Sequence, residues 1–294
     1  MPLSFGRNNG DVDDLIDLLM RKADVHHPEI IREMIIGALK SGQENNYLAD
    51  QKLMRTTMKE MRYTNKVFAP YRNRKKVTVF GSARTAADEP IYRTCVDFSR
   101  MLAERDYMVI TGGGPGIMLA GNEGAGAENS FAVNIHLPFE QDTNPVMNQD
   151  KKVITYKYFF NRKVAFLKEA HAVALFPGGF GTLDELFEAL TLVQTRKTGR
   201  VRIFLVGEEY FKPLMKFLRK SMLAEGMIDA EDLELITYTE DLALIVSEIE
   251  KSLGEQIGEL EEDGLEATAY YKTLSDFFDN RLIHEGKDSY LRRL

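Results

Sequence analysis

The chain of 294 residues has one cysteine, Cys95, so no disulfide can close within it. That sparing use of cysteine suits a reducing compartment, and a cytoplasmic protein is expected. No excess of positive charge exists: 38 Lys and Arg face 45 Asp and Glu, for a formal net charge of −7. A general nucleic-acid or anionic-membrane surface would need a basic face, so both partners are excluded, although a local basic pocket for a phosphate is not. No apolar run approaches the roughly 18 residues of a membrane span. The opening stretch MPLSFGRNNGDVDD turns polar and acidic at once, unlike the apolar core of a secretory signal. The five histidines, His26, His27, His136, His171 and His284, have no metal-site spacing and no H-E-x-x-H occurs, so no metal is expected. Internal repeats and low-complexity tracts are lacking as well.

What is present is an ordinary globular mixture, 44% hydrophobic and 28% charged, in a chain long enough to bury a core without staples. Three regions differ in pattern. Residues 1–74 read as a helical extension: Leu15, Ile16, Leu18 and Leu19, then Ile30, Ile31, Met34, Ile35 and Leu39, recur at helical spacing. In residues 75–255, short β-branched or aromatic runs (77–80, 107–111, 131–137, 172–176, 201–206 and 235–238) alternate with helical segments. Such alternation predicts βαβ units: an α/β, Rossmann-like, doubly wound and mainly parallel sheet between layers of helices. Residues 256–294 form a charged tail whose Tyr270, Tyr271, Leu274, Phe277 and Phe278 have the spacing of an amphipathic helix.

In doubly wound sheets ligands sit beyond the carboxyl ends of the strands, so the turns there are where chemistry is expected. The first joins Phe80 to Gly81 and Ser82. The second, Thr111-Gly112-Gly113-Gly114-Pro115-Gly116, precedes a helix for which Pro115 is a suitable opening residue. It is no dinucleotide fingerprint, because Gly112 and Gly114 would require glycine at position 117, which is Ile117, and no P-loop motif occurs anywhere. Its glycines serve either close strand–helix packing or ligand contact. The third, Phe176-Pro177-Gly178-Gly179-Phe180-Gly181-Thr182-Leu183-Asp184-Glu185, says most. Bare amides from Gly178 to Thr182 at the start of a helix suit a phosphate. Thr182 and Glu185 also fit a capping box, a purely structural alternative. Upstream, Arg162 and Lys163 stand near the predicted start of a helix, against the dipole preference, which makes sense beside an anionic ligand.

Arg162-Lys163 followed by Pro177-Gly178-Gly179-Phe180-Gly181-Thr182-Leu183-Asp184-Glu185 resembles the PGGxGTxxE signature of the LOG ("Lonely Guy") family. Its members are nucleoside 5′-monophosphate phosphoribohydrolases, many once labelled possible lysine decarboxylases. The likeness spans residues 75–255, and the extensions with Leu137-Pro138-Phe139-Glu140 resemble the longer bacterial branch. It implies Arg162 and Glu185 as the catalytic pair. Substrate contacts are implied at Lys163, Gly178, Gly179, Phe180, Gly181, Thr182, Leu183, Asp184, Thr191 and Glu140, with Ser82, Gly113 and Gly114 contributing from the first two turns. Phe180 stands where tyrosine is common and Asp184 where glutamate is frequent; neither change removes a catalytic group. The implied reaction is hydrolysis of a purine nucleoside monophosphate to free base and ribose 5-phosphate, without a cofactor, in a homodimer or larger homo-oligomer.

Two rivals use the same turns. A non-catalytic carrier of a nucleotide or phosphorylated cofactor needs the glycine turns but not the Arg162–Glu185 pair. A pyridoxal-phosphate decarboxylase needs a Schiff-base lysine with a partner for the pyridine nitrogen. Lys163 and Lys168 lie nearest, and no such constellation surrounds them.

Overall fold

The computed structural model describes residues 9–137, 143–197 and 201–278. The chain divides into two compact units, with the boundary between Lys59 and Glu60. In chain order the elements are α1 (Asp11–Ala23), α2 (Pro28–Glu44), α3 (Leu48–Phe68), β1 (Lys76–Phe80), α4 (Pro90–Ala103), β2 (Met108–Thr111), α5 (Ile117–Ala125), β3 (Ser130–Ile135) and β4 (Val153–Tyr156). There follow α6 (Phe159–Lys168), β5 (Ala172–Leu175), α7 (Phe180–Gln194), β6 (Arg202–Leu205), α8 (Glu208–Phe217), α9 (Ala230–Leu233), β7 (Ile236–Tyr238), α10 (Leu242–Glu262) and α11 (Ala269–Phe278).

In the N-terminal unit, Ile16 and Met20 of α1 pack with Ile36 of α2 in a small apolar cluster. A buried ion pair joins Arg32 to Asp13, and Arg32 Nε lies 3.5 Å from Asp17.

The second unit is built on strands that read as near-continuous apolar runs because both faces are covered. Alternate residues go to opposite faces. Val77, Val79, Val109, Ala172, Ala174 and Phe204 meet the layer containing Phe98, Leu102, Ile117 and Ile249 from α4, α5 and α10. Phe80, Ile110, Val133, Val173, Leu175 and Leu205 meet Phe166, Leu186 and Phe211 from α6, α7 and α8, along with Phe68. The sheet has the order β4-β3-β2-β1-β5-β6-β7, and every neighbouring pair is parallel. The sequence reading names six strands; β4 is the seventh, at the sheet edge.

Strands are added outward from β1 to β4, and then the chain returns to the other side of β1 to add β5, β6 and β7. The direction reverses between β1 and β5, and at such a switch point a crevice opens beyond the carboxyl ends of the two strands. The turns after Phe80 and after Leu175 therefore flank one crevice. The opposite end of the sheet is closed: Lys76 at the start of β1 is fully buried, its Nζ 3.0 Å from Arg74 O. Among the described residues, no helix is long and apolar enough to cross a membrane.

Candidate active site

The three glycine-bearing turns pack on one another. Ser82 N–H donates to Pro177 O at 2.9 Å, and Ser82 O accepts from Ile117 N at 2.9 Å. The first turn thus pins the second and third together through its backbone, while the Ser82 hydroxyl accepts from Arg84 N at 3.0 Å in a local turn.

The second turn is crowded. A Cβ on Gly113 would lie 1.8 Å from Asn134 Oδ1, at a φ of +72° that only glycine adopts freely. A Cβ on Gly116 would lie 2.2 Å from Ser82 O. A buried polar network holds this turn. Thr111 Oγ1 donates to Asn122 Oδ1 at 2.8 Å, and Asn144 Nδ2 donates to Asn122 Oδ1 at 2.8 Å and to Gly114 O at 3.2 Å. Gly113 is thereby packed and bonded within the protein, and the Gly114 carbonyl is held by Asn144.

The third turn is different. Gly178 packs closely, since a Cβ there would meet Thr182 Oγ1 at 2.1 Å. Gly179 and Gly181 have open space where a Cβ would stand. Gly179 is the N-cap of α7, so Phe180, Gly181 and Thr182 are its first three residues. This corrects the capping-box alternative: Thr182 is already the third helical residue, no side chain caps the helix, and Glu185 lies in its second turn. The amides of Thr182 and Leu183 bond Gly179 O, whereas those of Phe180 and Gly181 have no acceptor among the described residues. With no acidic residue in its first turn, the helix leaves its positive end bare beside open space. Phe180 is 94% exposed.

Behind this turn lie the charged residues. Arg162 on α6 projects between the rings of Phe159 and Phe166, at 5.1 and 5.3 Å from their centroids. Its guanidinium reaches the second turn, where a Cβ on Gly112 would stand 3.9 Å from Nη1. Burial pushes Arg162 down from its usual pKa, opposed by the charges of Glu185 and Asp184. Glu185 on α7 is 4% exposed. Burial pushes its carboxyl up to about 7, against the opposing pull of Lys163 and Arg162. Among the described residues, neither Arg162 Nε nor Glu185 Oε2 has a hydrogen-bond partner. Two buried, unsatisfied polar atoms of opposite charge type, near enough to shift each other's protonation, are costly unless a ligand completes them.

Lys163 bonds Asp184 at 2.8 Å and also pairs with Glu188. Burial alone would lower its pKa, but those two carboxylates outweigh it and the net shift is upward. That bonding gives Lys163 a structural role between α6 and α7 and fits poorly with a Schiff-base amine. Lys168 is likewise bonded, to Asn65 Oδ1 and Glu169 Oε1. Leu183 packs partly buried into the core. Thr191 is exposed and its hydroxyl donates to Phe187 O within the helix, away from any other group named here. Glu140 lies outside the described residues. Among the described residues, no group of three His, Cys, Asp or Glu side chains could hold a metal.

Sequence reasoning did not single out Glu188, although its spacing from Asp184 and Glu185 puts the three on neighbouring helical positions. It also missed Glu60 in the middle of α3, which accepts from Lys157 N at 2.7 Å and from Asn161 Nδ2 at 2.6 Å. Glu60 thereby holds the start of α6, one residue before Arg162.

Comparison with known proteins bears on this arrangement. Residues 116–249, which contain Arg162, the third turn and Glu185, match the family described as "Possible lysine decarboxylase". Over that stretch, which is less than half of its length, the chain is similar to this family. A "Probable cytokinin riboside 5′-monophosphate phosphoribohydrolase" of Oryza sativa subsp. japonica is 26% identical over 159 residues, 52% of this chain and 67% of that protein. Among solved structures, the molybdenum cofactor carrier protein of Chlamydomonas reinhardtii is 16% identical with a TM-score of 0.43, covering 62% of this chain and 99% of that one. The molybdenum cofactor binding protein of Rippkaea orientalis is 16% identical with a TM-score of 0.40, covering 60% and 96%.

Proposed function

We propose that this chain hydrolyses the N-glycosidic bond of a purine nucleoside 5′-monophosphate, releasing the free base and ribose 5-phosphate. The observation that carries the reading is the unsatisfied Glu185 carboxyl, buried beside Arg162 and one helical turn past the bare amides of Phe180 and Gly181. A phosphate on those amides puts the ribose within the span of the same helix start, so one rigid element orients both ends of the substrate. The similarity to the rice protein, described as a probable phosphoribohydrolase, supports the same class of reaction.

Cleavage of a ribose–base bond passes through an oxocarbenium-like state. Water adds hydroxide to the anomeric carbon and yields its proton to the Glu185 carboxylate. The base departs with the electrons of the broken bond and takes up a proton. An ionised Glu185 also stabilises the positive sugar carbon, and Arg162 orients the substrate and offsets the carboxylate charge. A carboxyl near pKa 7 suits this work, since a base is most effective when its pKa lies close to the working pH.

The deciding experiment incubates the purified protein with a panel of nucleoside 5′-monophosphates and follows base release by chromatography. Release of adenine from AMP, or of another base from its monophosphate, is the expected result. Tight binding of a monophosphate with no base released over hours rejects the hydrolase and leaves a carrier.

A further inference from the structure

Consecutive carbonyls of the third turn are each taken by a donor. Pro177 O accepts from Ser82 N, and Gly179 O accepts from the amides of Thr182 and Leu183 at 3.0 and 3.2 Å. Between them, Gly178 O accepts from the phenol of Tyr210. This middle carbonyl is held by a side chain from a different βα unit. Tyr210 is in the first turn of α8, after Gly207, whose φ is +112° and where a Cβ would press on the Pro177 ring at 3.1 Å. The neighbouring Phe211 is fully buried and anchors that turn, its ring 5.0 Å from Tyr210 and edge-on. The phenol is thus aimed at the loop by a rigid support.

In a trans peptide the C=O and N–H groups point in opposite directions. Fixing Gly178 O toward Tyr210 therefore fixes Gly179 N–H away from Tyr210. Beside Gly179 lies the open space noted above. We propose that Tyr210 is a positioning residue for the anion site: it locks the Gly178–Gly179 peptide in the rotation that adds the Gly179 amide to those of Phe180 and Gly181 as a donor to the substrate phosphate. The proposal rests on the reading that a phosphate occupies this turn. Without the phenol, the flexible Gly-Gly peptide samples the flipped rotation, in which a carbonyl dipole repels the anion.

The test compares the wild type with Tyr210→Phe, which keeps the ring at a half-exposed position and removes only the hydroxyl. Ribose 5-phosphate is titrated by calorimetry and into protein labelled with ¹⁵N-glycine. In the wild type the Gly179 amide resonance shifts on addition of ribose 5-phosphate. In the variant that shift is diminished, affinity falls roughly 3- to 10-fold, and the KM for the nucleoside monophosphate rises in step while kcat stays within about twofold. Equal affinity for ribose 5-phosphate in both proteins overturns the role of Tyr210 and leaves the phosphate placement standing. A wild type that does not bind ribose 5-phosphate overturns both. A variant that loses kcat with KM unchanged also overturns the proposal, because the phenol would then act on the reacting centre and not on the phosphate.

Discussion

The second and third glycine turns look alike in sequence and are alike in place, each joining a parallel strand to a helix, yet their glycines answer different demands. In the second, Gly113 and Gly116 are required by crowding: both have positive φ, and a Cβ on either would collide with Asn134 or Ser82. In the third, Gly179 and Gly181 have room for a side chain and negative or unremarkable backbone angles, so nothing within the protein demands glycine there. Glycine costs conformational entropy on folding, and a protein that keeps it where packing does not need it is leaving space for something else. The contrast extends to polar groups. Around the second turn Thr111, Asn122 and Asn144 bond one another and the atoms left over, Asn122 Nδ2 and Asn134 Oδ1, belong to neutral amides, whereas behind the third turn the unsatisfied Arg162 Nε and Glu185 Oε2 belong to ionisable side chains. The second turn is packed against its neighbours, and the third leaves bare amides beside open space.

If that contrast is right, the largest effect on turnover comes from the unsatisfied pair. Glu185→Gln keeps the shape and removes the proton acceptor, and base release is expected to fall on the order of a hundredfold or more with binding largely kept. Steady-state kinetics on the best monophosphate measures it, and near-normal kcat would break the assignment of Glu185. The corresponding break in the second turn is Gly113→Ala. Strain at positive φ and overlap with Asn134 together are expected to cost about 3 kcal/mol of stability, read by denaturant unfolding. Gly179→Ala is its counterpart, with stability changed by no more than about 0.5 kcal/mol but KM for the monophosphate raised. A Gly179→Ala protein with both stability and KM intact would erase the distinction between the two turns.

How far these roles can be read without coordinates depends on how local they are. The strands of the sheet centre were legible because β1, β2 and β5 are buried along their whole length and so appear as mainly apolar or β-branched runs. β4 was not picked out, although its Val-Ile-Thr-Tyr run is of the same kind as the Ile-Thr-Tyr of β7 at the other edge, so neither length nor burial hid it. The Pro177–Glu185 stretch was legible because one continuous loop and helix start hold both the bare amides and the acid. The capping box failed because Thr182 and Glu185 keep the right spacing one turn too deep in the helix, and spacing alone does not say where a helix begins. Tyr210 and Glu60 were invisible for a different reason. Their partners lie 32 and 101 residues away, and a hydrogen bond across such separations exists only once the sheet has formed.

A smaller effect sharpens the electrostatic half of the comparison. Glu185 is raised from about 4.5 to about 7, chiefly by burial. Its folded-state pKa lies above the unfolded value, so its contribution to stability is fully present below pH 4.5 and lost as pH rises through 7. Glu185→Gln cannot ionise and escapes that loss. The stability difference between variant and wild type is therefore expected to move in favour of the variant by about 2 kcal/mol between pH 5 and pH 8. Chemical denaturation at the two pH values measures this, and a difference independent of pH would show that Glu185 keeps an ordinary pKa. In the active protein the same ionisation makes kcat rise with pH through about 7 if the carboxylate is the base.

The smallest effect probes whether Arg162 is positioned from outside the two turns. Glu60 uses both carboxylate oxygens, one on Lys157 N and one on Asn161 Nδ2, and Asn161 is buried next to Arg162 on α6. Glu60→Gln retains the length but turns an NH₂ group toward one of the two donors, so one bond is lost and one repulsion gained. The expected cost is about 1 kcal/mol of stability, with kcat reduced by a few-fold as the start of α6 loosens and Arg162 loses its aim. The scaffold around Asn122 and Asn144 shares no partner with Glu60, so Glu60→Gln and Gly113→Ala should add in stability when combined. Strong coupling between them would mean that the second turn and α6 move as one body, and that the two turns are less separate than their glycines suggest.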